Sequence, residues 1–150
     1  MPQAADLYED DIVLWSERQA ELLRRRAAGE RTNEDEIDWL NVAEEIEDVG
    51  ISAVRAVRSH ILLALLNDLK AEAWPRSRDM PHWRAEARGH RDEARDEYVP
   101  SMAEKIDMEK LYRQALRRMP DTMDDQLPEP VPPVCPVTLE KILAPPPDAT

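Results

Sequence analysis

Residues 34–73 decide the fold of this chain, and their most distinctive part reads Trp39-Leu40-Asn41-Val42-Ala43-Glu44-Glu45-Ile46-Glu47-Asp48-Val49-Gly50. At 3.6 residues per turn, apolar and polar side chains fall on opposite faces of a helix. The apolar face contains Trp39, Ala43, Ile46, Gly50, Ala53, Val54, Val57, Ile61, Ala64 and Leu65. The polar face contains Asp38, Asn41, Glu45, Asp48 and Ser52. We therefore predict one long central helix whose apolar face is buried.

Gly50 lies inside this pattern, and the phase of the apolar face does not change there. A helix end would normally reset the phase, so we expect the helix to continue, at a cost of about 1 kcal/mol relative to alanine. The alternative is a helix that ends at a glycine cap. A continuous helix would place Gly50 on the buried face, where its missing side chain would let another helix approach closely.

Both ends of the predicted helix carry recognisable signals. Asn33, with Glu36 three residues later, forms a capping-box pattern at the start. Trp74-Pro75 ends the helix, because the residue before a proline avoids helical backbone angles. The run at 61–66 is apolar around the whole circumference, which is typical of a helix that is enclosed on all sides. We expect other helices or a second subunit to enclose it.

The rest of the chain predicts three more helices and a proline-rich tail. These helices and their N-caps are 7–28 with Asp6, 79–98 with Asp79, and 101–119 with Ser101. Gly29 ends the first of them. The segment at 120–136 must be extended because of its prolines, and Thr138 begins a short helical turn at 138–143. We predict an all-α bundle of about four helices over 1–120, with the tail at 121–150 packed on it.

The composition fits one acidic helical domain in the cytoplasm. The 150 residues carry a formal net charge of -12 at pH 7, which disfavours nucleic acid as a partner. The apolar run at 61–66 is far too short to span a bilayer, so we expect no membrane partner. The N-terminus, with its acidic residues, does not match a signal peptide. Cys135 is the only cysteine, so no disulfide can form within the chain.

Several segments resemble a bacterial family that is called "domain of unknown function 29". The signature is carried by Asp38, Trp39, Asn41, Glu44, Glu45, Glu47, Asp48 and Gly50. Arg58-Ser59-His60, followed by the leucine run, is similar to the next block of the family. Residues 8–15 and 135–143 are similar to its opening and closing blocks.

This resemblance implies a small, mostly helical protein from a family without an established activity. The chain departs from the family pattern at one place. The family often carries a histidine and a Lys-Trp pair after the leucine run, whereas this chain has Asn67-Asp68-Leu69-Lys70-Ala71 there. A role tied to that histidine or tryptophan is therefore not expected here.

Three residues are weak candidates for a metal site: Glu47, His60 and His82. Metal sites in helical bundles typically pair Glu with a Glu-x-x-His motif, which this sequence lacks. Glu47 lies at the edge of the apolar face, where an arginine is the more common partner. Histidines from different helices could bind zinc or nickel, but scattered histidines are commoner than sites. We therefore expect no cofactor.

Other candidate residues have simpler explanations. Glu45 and Asp48 point away from the apolar face and are expected to be solvated. Cys135 lies in the proline-rich segment, where no predicted helix N-terminus activates it, so a packed thiol is expected. The sequence contains no glycine-rich phosphate loop and no serine-triad motif.

Three functions from different classes fit these observations. The first is a non-enzymatic helical interaction protein that forms a homodimer or binds another protein, because one helix cannot cover so long a partner. The second is a metal-dependent or small-ligand enzyme in a helical bundle, which would use Glu47 and the histidines. The third is an acidic accessory or antidote protein for a partner with a basic surface.

Overall fold

A computed structural model of the chain describes residues 3–147. The secondary-structure elements in that range are all helices, which confirms the predicted all-α class. The α-helices are α1 (Ala4–Asp10), α2 (Ile12–Ala27), α3 (Trp39–Ala73), α4 (Met80–Glu97), α5 (Met108–Arg117) and α6 (Leu139–Ile142). Two 3₁₀ segments lie at Glu34–Glu36 and Pro100–Lys105.

The chain forms two compact units, the first ending at Ile51 and the second beginning at Ser52. The helix α3 supplies residues to both units. The boundary that the sequence suggested at residue 120 falls inside the second unit.

The long helix α3 is continuous through Gly50, as predicted, and has 35 residues. It ends before Trp74-Pro75, also as predicted, but it starts later than expected. Asn33 caps the 3₁₀ segment instead, its side chain accepting a hydrogen bond from the backbone of Asp35 (3.2 Å). Ile37 then adopts an extended backbone and is buried, which separates this segment from α3.

The predicted first helix is wrong in one respect, because it is two helices that meet at Asp11. This residue has φ -151°, and its side chain accepts a hydrogen bond from the backbone N–H of Leu14 (3.0 Å), so it caps α2. Asp6 is not an N-cap. It lies within α1 and accepts a hydrogen bond from the backbone of Gln3 (3.3 Å). Gly29, with φ 86°, follows the end of α2 as predicted.

The predicted fourth helix begins too early. Its first part is a 3₁₀ segment that ends where Ile106 turns into the core with an extended backbone. The N-cap of α5 is Asp107, whose side chain accepts from the backbone N–H of Lys110 (3.1 Å). The turn after Thr138 is confirmed, since the Thr138 hydroxyl accepts from the backbone of Lys141 (3.2 Å).

The second unit contains the main hydrophobic core, built around the second half of α3. Its buried members from all elements are Val54, Val57, Ile61, Leu62, Ala64, Leu65, Leu69, Ala94, Met102, Ile106, Leu111, Tyr112, Ala115 and Ile142. The tail packs against this core through apolar residues at 131–143. The hydroxyl of Tyr112 donates to the carbonyl of Pro132 (2.5 Å), which ties the tail to α5.

By length and composition alone, α3 could also cross a membrane. A core helix of a soluble protein passes the same test, and Val57, Ile61 and Leu65 are buried within the chain. The cytoplasmic location and the absence of a membrane partner stay predictions.

The first half of α3 contradicts the predicted burial of the apolar face. The members of that face that are exposed are Trp39, Ala43, Ile46, Gly50 and Ala53. Among the described residues, and apart from the adjoining residues and backbone of α3 itself, nothing lies within 4 Å of the place where a Cβ on Gly50 would be, so no described helix approaches closely there. The reason is that the polar face of this half hydrogen-bonds to α1 and α2, as described below.

We expect Ile61→Ala to destabilise the protein by about 2–5 kcal/mol, because it removes buried methyl groups and leaves a cavity in the main core. The matched control is Leu127→Ala, which truncates a side chain that is 78% exposed in the same unit. It should change stability by less than about 0.5 kcal/mol. Denaturant unfolding measures both changes, and equal effects would contradict the proposed core.

Candidate functional site

Asp38 connects α2 to the start of α3 through three hydrogen bonds. The Asp38 carboxylate accepts from the indole N–H of Trp15 (3.1 Å) and from the amide of Asn41 (2.8 Å). Its backbone N–H donates to Oε1 of Gln19 (2.9 Å), and the Gln19 amide donates to the carbonyl of Glu36 (3.1 Å). Asp38 and Asn41 are therefore structural residues of the first unit.

Tyr8 makes a second polar contact between α1 and α3. Its hydroxyl donates to Oε1 of Glu45 (2.7 Å), and its ring packs edge-on against Trp15 with 4.9 Å between centroids. The hydrogen bond to Glu45 is the main cause that raises the pKa of Tyr8 to about 12, and partial burial and the nearby Glu44 and Asp48 add to it. Glu45 is thus half-buried and bonded, whereas the sequence predicted a solvated side chain.

The opposite side of α3 carries an exposed apolar face in the first unit. This face consists of Trp39, Leu40, Ala43, Ile46, Val49 and Gly50. The exposed fractions of its large side chains are 49% for Trp39, 86% for Leu40, 68% for Ile46 and 70% for Val49. Exposed apolar patches of this kind mark interaction surfaces or ligand grooves more often than isolated exposed residues do.

Glu44 and Glu47 are exposed carboxylates beside this face. None of the ion pairs within residues 3–147 includes Glu47, so the arginine partner expected for it is not present there. The metal-ligand grouping found among the described residues does not include it either.

The histidines lie in the second unit, where two of them meet. Nδ1 of His60 on α3 is 3.1 Å from Nδ1 of His90 on α4. The possible ligand atoms of His60, Glu93 and Glu97 lie within 4.8 Å of one another. His82 is exposed, and its Nε2 is 4.0 Å from Glu86. The structure therefore places His60 in a cluster that contains neither His82 nor Glu47.

A cleft of about 250 Å³ opens between α3, α4 and the tail of the second unit. Asp68, which the sequence marked as part of the departure from the family, lines it and forms ion pairs with Arg84 and Arg91. These ion pairs join α3 to α4 and leave little free positive charge in the cleft for an anionic ligand. Glu72, which also lines the cleft, belongs to none of the ion pairs found within residues 3–147.

Cys135 is half-buried in the tail. Burial raises the pKa of the Cys135 thiol above its ordinary value, and a backbone hydrogen bond of Val137 acts in the opposite direction. The thiol also donates to the carbonyl of Val137 at 3.2 Å. A raised pKa lowers the fraction of reactive thiolate, so the geometry fits the packed thiol that the sequence predicted.

Comparison with known proteins gives the family. The model of the family described as "Domain of unknown function DUF29" matches residues 7–146 of the chain. The chain belongs to this family. The DUF29 chain is also similar to a crystal structure from Rhodospirillum rubrum, titled an alpha-helical protein of unknown function, with 26% identity and a TM-score of 0.57. The match covers 91% of this chain and 88% of that one. No curated protein matches the chain.

The family assignment confirms the resemblance and comes with a helical fold but no activity. Sequence reasoning did not select Glu93 and Glu97, because their spacing on α4 is also that of an ordinary solvated helix face. The four-residue spacing, which puts both on one side of α4, was the available signal.

We expect the stability contributed by the Tyr8–Glu45 hydrogen bond to depend on pH. The folded pKa of Tyr8, about 12, is raised above the ordinary value of 10.0, so this contribution is complete below pH 10.0 and is lost as the pH rises to about 12. The free energies of unfolding of the native chain and of Tyr8→Phe should therefore differ most below pH 10.0 and converge as the pH rises to about 12.

A second variant separates the hydrogen bond from general effects of alkaline pH. In Glu45→Ala, Tyr8 keeps its place but loses its acceptor, so tyrosinate absorbance should show it ionising at a lower pH than in the native chain. An unchanged titration of Tyr8 in Glu45→Ala would contradict the assigned cause.

Proposed function

We propose that this DUF29 chain is a non-enzymatic helical interaction protein that pairs with a second copy of itself through the exposed apolar face of α3. The observation that carries this proposal is the exposure of Trp39, Ile46 and Val49 on one side of a regular helix. A second copy can bury these side chains and gain the corresponding hydrophobic free energy.

The composition of the first unit supports a need for such a partner. Its buried side chains within the described residues are Trp15, Gln19 and Ile37. In contrast, seven of the ten large hydrophobic side chains found exposed in the structure belong to this unit. A unit of about fifty residues with so small a core is marginal alone, and association is a common way to stabilise such a unit.

The order of large and small residues on α3 favours an antiparallel pair. Trp39 and Ile46 are the large residues of the seam, and Ala43 and Gly50 are the small ones. If two copies of α3 cross antiparallel with their centre between Glu44 and Glu45, Trp39 faces Gly50 of the second copy. Ile46 then faces Ala43 of the second copy. Each layer formed by these four residues pairs a large residue with a small one, which is the condition for close packing.

A parallel pair packs less well. It would place Trp39 against Trp39 of the second copy and Gly50 against Gly50, so one layer would be overfilled and another would contain a void. Both defects cost free energy. In the antiparallel arrangement the two copies of Glu47 would lie about 7 Å apart along the helix axis, whereas the two copies of Glu44 would lie at nearly the same level and repel each other.

The charge of the first unit sets the conditions for association. Residues 1–51 contain fifteen acidic and five basic residues, which is -10 of the total of -12. Two such units repel each other, and salt screens this repulsion. The apolar face spans twelve residues, about 18 Å, and is shorter than the interface of a tight dimer. We therefore expect weak dimers, in the micromolar range, that become more stable as salt is added.

Sedimentation and tryptophan fluorescence test the self-association. Trp39 is exposed, whereas Trp15, Trp74 and Trp83 are buried. Quenching of tryptophan by iodide should therefore decrease as protein concentration rises and Trp39 becomes covered, and Trp39→Phe should abolish this change. A chain that sediments as a monomer up to about 100 μM, at low and high salt, would overturn the proposal.

A pair of compensating substitutions tests the antiparallel arrangement. Ala43→Ile should overfill one layer and Ile46→Ala should empty it, so each alone should weaken the dimer about tenfold or more. The double variant restores one large and one small residue in that layer and should recover most of the affinity. Val134→Ala, which truncates an exposed side chain of the second unit, is the matched control and should change nothing.

Other occupants of the face give different outcomes. A partner with a basic surface would bind a monomeric chain, and salt would weaken that complex. Failure of the double variant to recover affinity would contradict the antiparallel pair even if the chain dimerises.

A further inference from the structure

We propose that the second unit binds one divalent first-row transition metal ion, such as Zn²⁺, through His60, Glu93 and Glu97. His60 comes from α3, and the two carboxylates come from α4. This site does not depend on the self-association proposed above.

The distances between the three side chains suit a metal ion after a small adjustment. Their possible ligand atoms lie within 4.8 Å of one another. Two ligands of a tetrahedral zinc ion, at bond lengths of about 2.0–2.2 Å, are separated by roughly 3.3–3.6 Å. The gap to be closed is about 1 Å, which rotations of exposed glutamate side chains can supply. Glu93 and Glu97 are both exposed, whereas His60 is half-buried and held by its surroundings.

The two carboxylates are a pair of like charges without a cation in the described part of the protein. Glu93 and Glu97 lie four residues apart on α4, where like charges destabilise the helix. Other acidic residues of α4 do have partners on the same helix: Asp92 pairs with Arg95, and Glu86 lies near His82 and His90. None of the ion pairs found within residues 3–147 includes Glu93 or Glu97. A bound divalent cation would offset this repulsion, because it attracts both carboxylates.

The contact between His60 and His90 can set the form of His60 that a metal needs. Because Nδ1 of one ring is 3.1 Å from Nδ1 of the other, one of these atoms donates and the other accepts. If His60 donates from Nδ1, its Nε2 has a free lone pair for the metal. Metal-binding histidines usually donate from the second ring nitrogen in this way, which fixes the ring and its tautomer. His90 is therefore assigned as a positioning residue, with its own Nε2 at 3.9 Å from Glu86.

The set of one imidazole nitrogen and two carboxylates decides the class of ion. Imidazole favours Zn²⁺, Ni²⁺ and Fe²⁺, whereas Mg²⁺ and Ca²⁺ prefer oxygen alone. Three protein ligands leave one or more positions of the metal open to water. We expect affinity for Zn²⁺ to exceed that for Mg²⁺ by orders of magnitude.

Calorimetric titration of the untagged full chain with zinc chloride tests the site. We expect one Zn²⁺ per chain, and no comparable heat with magnesium chloride. His60→Ala should remove this binding, and Glu93→Gln or Glu97→Gln should weaken it by more than about tenfold. The matched control is His82→Ala, which removes an exposed histidine that also has Glu86 as its neighbour. It should leave the affinity unchanged.

A fourth variant separates positioning from ligation. His90→Ala should keep the stoichiometry but lower the affinity about 10- to 100-fold, as expected for a group that orients a ligand. Circular dichroism establishes that each variant keeps its helices.

Three results would overturn the site. These are no stoichiometric Zn²⁺ binding to the native chain, equal affinity in His60→Ala, and loss of binding in His82→Ala. Weakening in His60→Ala but not in either glutamine variant would also exclude the three-residue set.

Discussion

The hydrogen bonds of Asp38 are the constraint on which the first unit depends. A buried indole N–H and a buried amide side chain must find hydrogen-bond partners. In this unit the Asp38 carboxylate accepts from Trp15, while the Glu36 carbonyl accepts from the Gln19 amide and the Asp38 backbone N–H donates to the same amide. Meeting this requirement turns the polar side of the first half of α3 toward α2. Tyr8 and Glu45 extend the same arrangement to α1. Once the polar side faces inward, the apolar side of that half must face outward.

This reversal explains why the motif that identifies the family has two separate roles. Asp38, Asn41 and Glu45 hold the first unit together, while Trp39 and Gly50, which alternate with them along the helix, lie on the outer surface. One twelve-residue stretch can serve both purposes because a helix presents successive residues to different sides. The outer side is an interaction surface in our proposal, and its alternation of large and small residues is what a second copy would use.

The second unit has a different organisation. There the apolar side of α3 is buried against α4, α5 and the tail, and the chemistry of interest lies at the contact between α3 and α4. Ion pairs of Asp68 with Arg84 and Arg91 join these helices at one place, and His60 with His90 joins them at another. The carboxylates of Glu93 and Glu97 add negative charge next to His60, and neither forms an ion pair within residues 3–147, which is why we propose a cation at that position.

The sequence by itself determined the helical class, the continuity of α3 through Gly50, and the ends at Gly29, Trp74-Pro75 and Thr138. These features depend on interactions among residues a few positions apart, which the sequence displays directly. Only the tertiary structure decided that the polar side of α3 packs inward before residue 52, that Asp11 divides the first helix, and that His60 meets Glu93 and Glu97. These outcomes depend on which distant groups supply hydrogen bonds and apolar contacts, and periodicity predicts that a face is apolar but not what covers it.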